Sequence, residues 1–119
     1  MEEEIWKTIV DFPQYQVSNF GQVMSYKNPK KPTLMKGRIT KKGYKDIHLR
    51  DINGKSYSKQ LHRLVLETFC PVENMKNLEV NHIDENKLNN NLENLEWLTH
   101  EQNVAYGTGQ IRAHISQSD

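Results

Sequence analysis

The chain has 119 residues, of which 35% are hydrophobic, and a net charge of +1, which fits one domain or two small lobes that share a core. No apolar run approaches the length of a membrane span, and residues 1–4 are acidic where a signal peptide would be basic, so a soluble cytoplasmic protein is expected. The single cysteine, Cys70, excludes an internal disulfide, argues against a thiolate zinc site, and is predicted to be a buried free thiol beside Pro71.

The amino-terminal segment is predicted to form short strands that turn aromatic side chains towards a core. Trp6, Phe12 and Tyr15 mark an extended stretch rich in residues that favour strands. A turn is predicted at residues 19–21, where Asn and Gly flank Phe, and a further strand at residues 22–26.

The middle of the chain concentrates the positive charge. Residues 27–63 hold twelve of the sixteen Lys and Arg residues and only two acids. Residues 34–39 are predicted to pair with residues 44–50 around a turn at 41–43, and the Asn-Gly dipeptide at 53–54 predicts a second hairpin. Such a basic run is either a solvated face or a surface that binds phosphates.

A helix is predicted over residues 61–69, where Leu64 and Val65 share an apolar face with Leu61, and Pro71 ends it. This helix is expected to bridge the two lobes. Its HRLV start contains His62, for which a phosphate contact and a structural hydrogen bond are equally compatible with the sequence. His62 is therefore left without a role.

The segment from residue 78 to residue 103 predicts strand, loop, strand and helix. Its apolar-edged pieces, 78–83 and 95–99, suit two short strands, and the asparagines between them favour turns. Thr99 and Gln102 form a capping-box pattern that starts a helix, predicted to continue to Tyr106 and to stop at 107–109. This order brings side chains from the first strand, the loop and the helix towards one point.

The residues at that point resemble the HNH, or ββα-metal, nuclease family, in particular its phage intron-encoded nicking homing endonucleases. That family's motif has an acidic or amide residue beside a histidine, then an asparagine, then an asparagine or histidine on the helix. Asn81, His82, Asn94 and Asn103 stand at those places, and the NHIDENKLNN and NLEWLT stretches match as well. The amino-terminal YxVSNxGxVxS pattern resembles the module that precedes the motif in many phage nucleases, so its aromatic residues either fill the core or contact DNA.

The resemblance implies hydrolysis of DNA. His82 would be the general base, and Asn94 would hold the loop and orient His82. Asn81 and Asn103 would bind one divalent ion, Mg²⁺ or Mn²⁺, which holds the scissile phosphate and the departing 3′ oxygen. The implied partner is double-stranded DNA, with no organic cofactor and no membrane, and the implied protein is a phage-encoded monomer in the cytoplasm of a bacterial host.

The predicted fold class is α+β. Residues 1–60 are expected to form a β-rich DNA-binding module, residues 61–109 the bridging helix and the ββα-metal motif, and residues 110–119 a tail. The basic residues expected to contact DNA are Lys36, Arg38, Lys41, Lys42, Lys45 and Arg63. Two other readings remain open, a non-catalytic DNA-binding module that keeps the ββα shell and an accessory protein of a phage packaging enzyme.

Overall fold

The structure is a computed structural model, and it describes residues 3–107. In this part of the chain nine strands form three antiparallel sheets around a central helix, which confirms the α+β prediction. The first sheet contains β1 (Trp6–Ile9), β2 (Phe12–Ser18), β3 (Val23–Ser25) and β4 (Thr33–Met35), in that order. Its inward-facing side chains include Tyr15, Val17 and Val23, which solvent barely reaches.

The second sheet contains β5 (Arg38–Ile39), β6 (Lys45–Arg50) and β7 (Ser56–Gln60). The predicted pairing of residues 34–39 with 44–50 is confirmed for Arg38 and Ile39, which pair with Asp46 and Lys45, and is wrong for Leu34, which pairs with Met24 in the first sheet. The segment is thus divided between two sheets. Gly37 lies at the division with a φ of 68°, in the region that favours glycine.

The central helix α1 (Leu61–Phe69) has the predicted bounds and buries Leu61, Leu64 and Val65. These residues join one apolar cluster with side chains from the first sheet, the second sheet and the carboxy-terminal strands, so the core crosses the boundary predicted at residue 60. Cys70 is exposed, and the prediction of a buried thiol is wrong. The residue lies just past the helix end, where its backbone is used: its N–H donates to Leu66 and its carbonyl accepts from the Trp97 ring.

The carboxy-terminal unit contains β8 (Glu79–His82), β9 (Leu95–Leu98) and α2 (His100–Gly107). The predicted capping box is confirmed: the Thr99 hydroxyl accepts from the Gln102 N–H at 3.1 Å, and the Gln102 side chain accepts from the Thr99 N–H at 2.9 Å. The Tyr106 hydroxyl donates to the Ile83 carbonyl and fixes α2 against the end of β8. The predicted tail, 110–119, lies outside the described residues, as do residues 108 and 109 of the predicted helix stop.

The amino-terminal turn at residues 19–21 packs directly on the loop that joins β8 to β9. The Asn19 carbonyl accepts from the Leu92 N–H at 2.8 Å. Gly21 has a φ of 80°, and a Cβ added there would lie 2.7 Å from the Asn90 carbonyl oxygen. A side chain at position 21 would therefore displace the loop. Neither helix of the described part has the length and apolar content needed to cross a membrane.

Candidate active site

His82 ends β8 and is 5% exposed, and its ring is tethered by one hydrogen bond. The Nε2 atom lies 2.9 Å from Oδ1 of Asn90, which is itself buried. An amide oxygen only accepts hydrogen bonds, so Nε2 must carry the proton and Nδ1 is the basic nitrogen of the neutral ring. A general base requires an unprotonated nitrogen, which here is Nδ1. The hydrogen bond at Nε2 fixes the orientation of the ring.

Asn94 holds the loop between the two strands, as expected, and among the described residues its side chain makes no hydrogen bond to His82. Its Oδ1 accepts from the Asp84 N–H, and its Nδ2 donates both to the Asp84 carboxylate and to the Asn89 carbonyl, each at 2.9 Å. Hydrogen bonds, first from the Asn89 side chain, keep the pKa of Asp84 below its ordinary value. The residue that bonds the His82 ring directly is Asn90, and a role of Asn94 in orienting His82 would act through the shape of the loop that carries Asn90.

Asn81 and Asn103, the two expected metal ligands, have their amides oriented in the same way. Nδ2 of Asn81 donates to a carboxylate oxygen of Glu96 at 3.0 Å, and Nδ2 of Asn103 donates to a carboxylate oxygen of Glu79 at 2.8 Å. Within residues 3–107 neither amide oxygen accepts a hydrogen bond. Both Oδ1 atoms are consequently available as ligands for a cation.

Glu79 supplies negative charge beside Asn103. Its second carboxylate oxygen lies 2.7 Å from Nδ1 of His100, so both oxygens have partners. The hydrogen bond from Asn103, followed by the one from His100, lowers the pKa of the Glu79 carboxyl. Glu79 therefore remains ionised at neutral pH.

Two neighbouring cavities collect these side chains. The larger, of about 540 Å³, is lined by Glu79 and Asn103 together with the basic turn Lys41-Lys42. The smaller, of about 210 Å³, is lined by Asn81 and His82. The residues common to both cavities are Tyr44, Val80 and Asn103. The strand, the helix and the basic turn thus face one continuous depression.

The expected DNA-binding residues fall into two groups. Lys36, Arg38, Lys41 and Lys42 are exposed, and Lys45 is half-buried. Arg63 instead uses all three of its nitrogen atoms within the protein, on Glu67 and on the carbonyls of Leu78 and Met75. Its geometry is that of a residue that fixes the chain after α1.

His62 lies at the centre of this region. Its ring centroid is 5.0 Å from that of His82 and 5.1 Å from that of Tyr44, and the residue is 5% exposed. Burial, then the neighbouring His82 and Arg63, lowers its pKa to about 4. His62 is therefore neutral at physiological pH.

Comparison with known proteins places this geometry in a family. Residues 59–105 match the family model described as HNH endonuclease, and residues 4–50 match the model described as NUMOD4 motif. The chain is 43% identical over 114 residues to the DNA endonuclease I-HmuI of Bacillus phage SP01. This chain belongs to the HNH endonuclease family.

Further relatives lie in viruses of different hosts. The HNH chain is 36% identical over 100 residues to the H-N-H endonuclease F-TflII of Escherichia phage T5, and 37% identical over 108 residues to an uncharacterized HNH endonuclease of Acanthamoeba polyphaga mimivirus. These matches cover 83% and 88% of this chain, and 95% of it is covered in the match to I-HmuI. The chain spans 63% of I-HmuI, 50% of F-TflII and 26% of the mimivirus protein.

A solved structure, titled "DNA binding and cleavage by the HNH homing endonuclease I-HmuI", superposes on this HNH chain with a TM-score of 0.75. The sequence identity in that comparison is 38%, and the match covers 98% of this chain and 64% of the other. The likeness extends over both the amino-terminal sheet and the ββα unit.

The donor set of this HNH chain suits a divalent cation bound through neutral oxygens. Among the described residues no group of three or more His, Cys, Asp or Glu side chains is placed to hold a metal ion. The two amide oxygens of Asn81 and Asn103 are hard ligands of the kind that Mg²⁺ and Mn²⁺ accept, and carboxylates behind them fix their orientation. A cation held this way would need further oxygens from water or from a phosphate.

Four contributors to the HNH site were missed in the sequence: Asn90, Glu79, Glu96 and Lys87. Strand pairing could have indicated Glu96, because it stands directly opposite Asn81. The alternation of a strand could have indicated Glu79, two positions before Asn81. No local signal indicates Asn90 among its neighbouring asparagines, or Lys87, whose ammonium donates to the Lys42 carbonyl at 2.8 Å.

Proposed function

We propose that this chain is a divalent-metal-dependent endonuclease that hydrolyses phosphodiester bonds of double-stranded DNA by cutting one strand. One observation carries the proposal: a histidine with one basic nitrogen, a pair of exposed lysines, and two amide oxygens that accept no hydrogen bond within residues 3–107 line adjoining cavities. Further support comes from the family to which the chain belongs and from its phage relatives. The active unit is proposed to be a single chain without an organic cofactor, in the cytoplasm of a phage host.

His82 is the proposed general base. Its Nδ1 takes a proton from a water molecule, while the hydrogen bond from Nε2 to Asn90 holds the ring in place. The water oxygen then attacks phosphorus in line with the 3′ oxygen. The bond from phosphorus to that oxygen breaks, the oxygen takes a proton from solvent, and the products carry a 5′-phosphate and a 3′-hydroxyl.

Asn81 and Asn103 are the proposed ligands of the cation through their Oδ1 atoms. A divalent cation, when bound, supplies positive charge that stabilises the phosphate oxygens and the departing 3′ oxygen. Glu96 and Glu79 keep the amide nitrogens turned away from the cation site, and their charge offsets the neutrality of the two amides. Asn94 contributes through the shape of the loop.

The basic surface, defined as Lys36, Arg38, Lys41, Lys42 and Lys45, is proposed to bind DNA phosphates. Lys41 and Lys42 line the same cavity as Asn103, so a backbone bound there would pass beside the proposed cation site. Lys87 secures this turn, because its ammonium bonds the Lys42 carbonyl and lies 4.7 Å from the centroid of the Tyr44 ring. Contacts of this type give affinity without reading bases.

A plasmid assay tests the function. Supercoiled plasmid is incubated with purified protein in Mg²⁺, in Mn²⁺ or in chelator, and nicked, linear and supercoiled forms are separated on a gel. We expect nicked circles with either metal and none with chelator. Plasmid that is bound and retarded but never nicked would instead identify a non-catalytic DNA-binding module, and linear product formed without a nicked intermediate would contradict single-strand cutting.

A further inference from the structure

His62, in the first turn of α1, has no part in the mechanism above, although it lies within the site. It lines the larger cavity together with Lys41 and Asn103, and its ring contacts those of Tyr44 and His82, which also contact each other. A histidine that served only to fill the core would be expected to bond both ring nitrogens within the protein. His62 makes no such bond among the described residues.

The two ring nitrogens of His62 differ in their surroundings. Nδ1 is buried and has no hydrogen-bond partner, whereas Nε2 is accessible to solvent. A buried N–H without an acceptor is unfavourable, so the single proton of the neutral ring belongs on Nε2. His62 therefore offers one N–H donor, and no positive charge, on the side that solvent reaches.

No acceptor among the described residues bonds this donor, although two carboxylates line the cavity. Glu79 already accepts from Asn103 and His100, and Asp46 accepts from Ser58 through one oxygen while its other oxygen is buried without a hydrogen bond. Lys41 and Lys42, exposed at the same cavity, attract anions to it. The ligand that matches an uncharged donor beside two lysines is a phosphate oxygen of a nucleic-acid backbone.

We propose that His62 is a substrate-contacting residue whose Nε2–H donates a hydrogen bond to a non-bridging oxygen of the scissile phosphate, beside His82. This inference rests on the proposed endonuclease function. A buried donor whose ring packs against those of Tyr44 and His82 needs no rearrangement as charge builds on the phosphate oxygens, so its bond strengthens in the transition state. No proton is transferred from His62, which remains neutral throughout.

Two substitutions distinguish the contribution of the His62 hydrogen-bond donor from that of its packing. His62→Gln keeps an N–H group near the position of Nε2, whereas His62→Leu keeps an apolar side chain and removes the donor. His48, an exposed histidine on β6, provides the controls His48→Gln and His48→Leu. We expect His62→Leu to slow single-turnover nicking by about ten- to a hundredfold, with His62→Gln and both controls within a few-fold of the parent.

Measurements that do not depend on cleavage accompany the rates. DNA binding without metal, the metal concentration for half-maximal nicking and the thermal unfolding temperature are expected to match the parent in His62→Gln. In the parent, nitrogen-15 NMR of the imidazoles is expected to show the Nε2–H tautomer for His62. Adding duplex DNA without divalent metal should shift that Nε2–H signal.

Three outcomes would overturn the proposal: parental nicking by His62→Leu, an equal loss in folded His62→Gln, or an unchanged His62 signal in DNA-saturated protein. The equal loss would mean that the ring acts through packing. If the parent never nicks plasmid, the endonuclease function fails, yet the NMR titration still decides the contact: a shifted signal would support it and an unchanged signal would reject it. The titration also serves if His62→Leu does not fold.

Discussion

The loop from Asp84 to Asn94 and the face formed by Asn81 and Asn103 use the same side chain for opposite purposes. In the loop, both the oxygen and the nitrogen of the Asn94 amide are hydrogen-bonded, to Asp84 and to Asn89. On the face, the amide nitrogens of Asn81 and Asn103 bond carboxylates and the oxygens remain available. All three amide nitrogens bond a carboxylate, so the difference lies in the oxygen: that of Asn94 accepts from the Asp84 N–H, whereas those of Asn81 and Asn103 accept no hydrogen bond among the described residues. An occupied amide oxygen marks an asparagine that shapes the loop, and an unoccupied one marks an asparagine that can bind a cation.

The strongest test of this contrast is at His82, which the loop orients through Asn90 and which lines a cavity with Asn81. His82→Ala should lower the nicking rate by about a hundredfold or more, because the general base is lost. DNA binding should stay near the parental level, since no Lys or Arg side chain changes. Rates are measured on supercoiled plasmid at saturating protein, with the exposed His48→Ala as control. Undiminished nicking by pure His82→Ala protein would remove His82 from the mechanism.

The binding face is tested by changing its oxygen ligands. Asn103→Ala should demand more metal or abolish nicking, whereas Asn81→Asp should nick at lower Mg²⁺, because a charged oxygen binds the cation more strongly than an amide. Glu79→Gln, which keeps the side-chain shape, should raise the metal requirement by about tenfold.

The measurement is a metal titration of nicking rate for each variant under one salt condition. A second readout is the rise in unfolding temperature on adding Mn²⁺, which follows binding without cleavage. If neither asparagine substitution moves the metal requirement, these two residues do not hold the ion.

The loop is tested at Asn94, where the expected loss is in stability. Asn94→Ala removes three side-chain hydrogen bonds from a residue that is 9% exposed, so the free energy of unfolding should fall by about 1–3 kcal/mol. The metal requirement of the remaining folded protein should be unchanged. Denaturant unfolding measures the loss in the free energy of unfolding, with the exposed Asn53→Ala as control. A stable Asn94→Ala protein with an altered metal requirement would show that Asn94 acts in cation binding and not in holding the loop.

The smallest expected effect concerns the basic surface, where Lys41→Ala with Lys42→Ala removes two charges. The variant should bind unrelated DNA sequences more weakly to a similar extent, and the slope of log affinity against log salt should flatten by roughly one to two units. Binding is measured by fluorescence anisotropy over a range of salt, with Lys76→Ala as a control outside the basic segment. An unchanged slope would show that this turn is only solvated.

Local chemistry explains which elements the sequence predicts well. The bounds of α1 follow from apolar residues three and four apart and from Pro71, and the capping box at Thr99 is made by residues three positions apart. Asn81, His82 and Asn103 are recognised by their spacing in a motif, and the structure brings them to adjoining cavities. These features depend on short stretches of chain.

Contacts between distant residues explain what the sequence does not predict. The division of the strand at Gly37 depends on the approach of β6, since a Cβ there would meet the Asp46 carbonyl at 2.7 Å. Arg63 is basic by composition, yet its partners stand twelve and fifteen residues later. Asn90 has the same side chain as its neighbours Asn89 and Asn91, and only the folded loop selects it to contact His82.

The contact between Gly21 and Asn90 limits how such proteins can be assembled by recombination. The turn of the amino-terminal motif rests on the backbone of the residue that tethers His82, with room for no side chain at position 21. A shuffled gene that attached another amino-terminal module to this ββα unit would inherit the chemistry only if its turn brought a glycine to the same place. The amino-terminal motif and the ββα unit are separate patterns in the sequence, but the contact at Gly21 requires them to be inherited together.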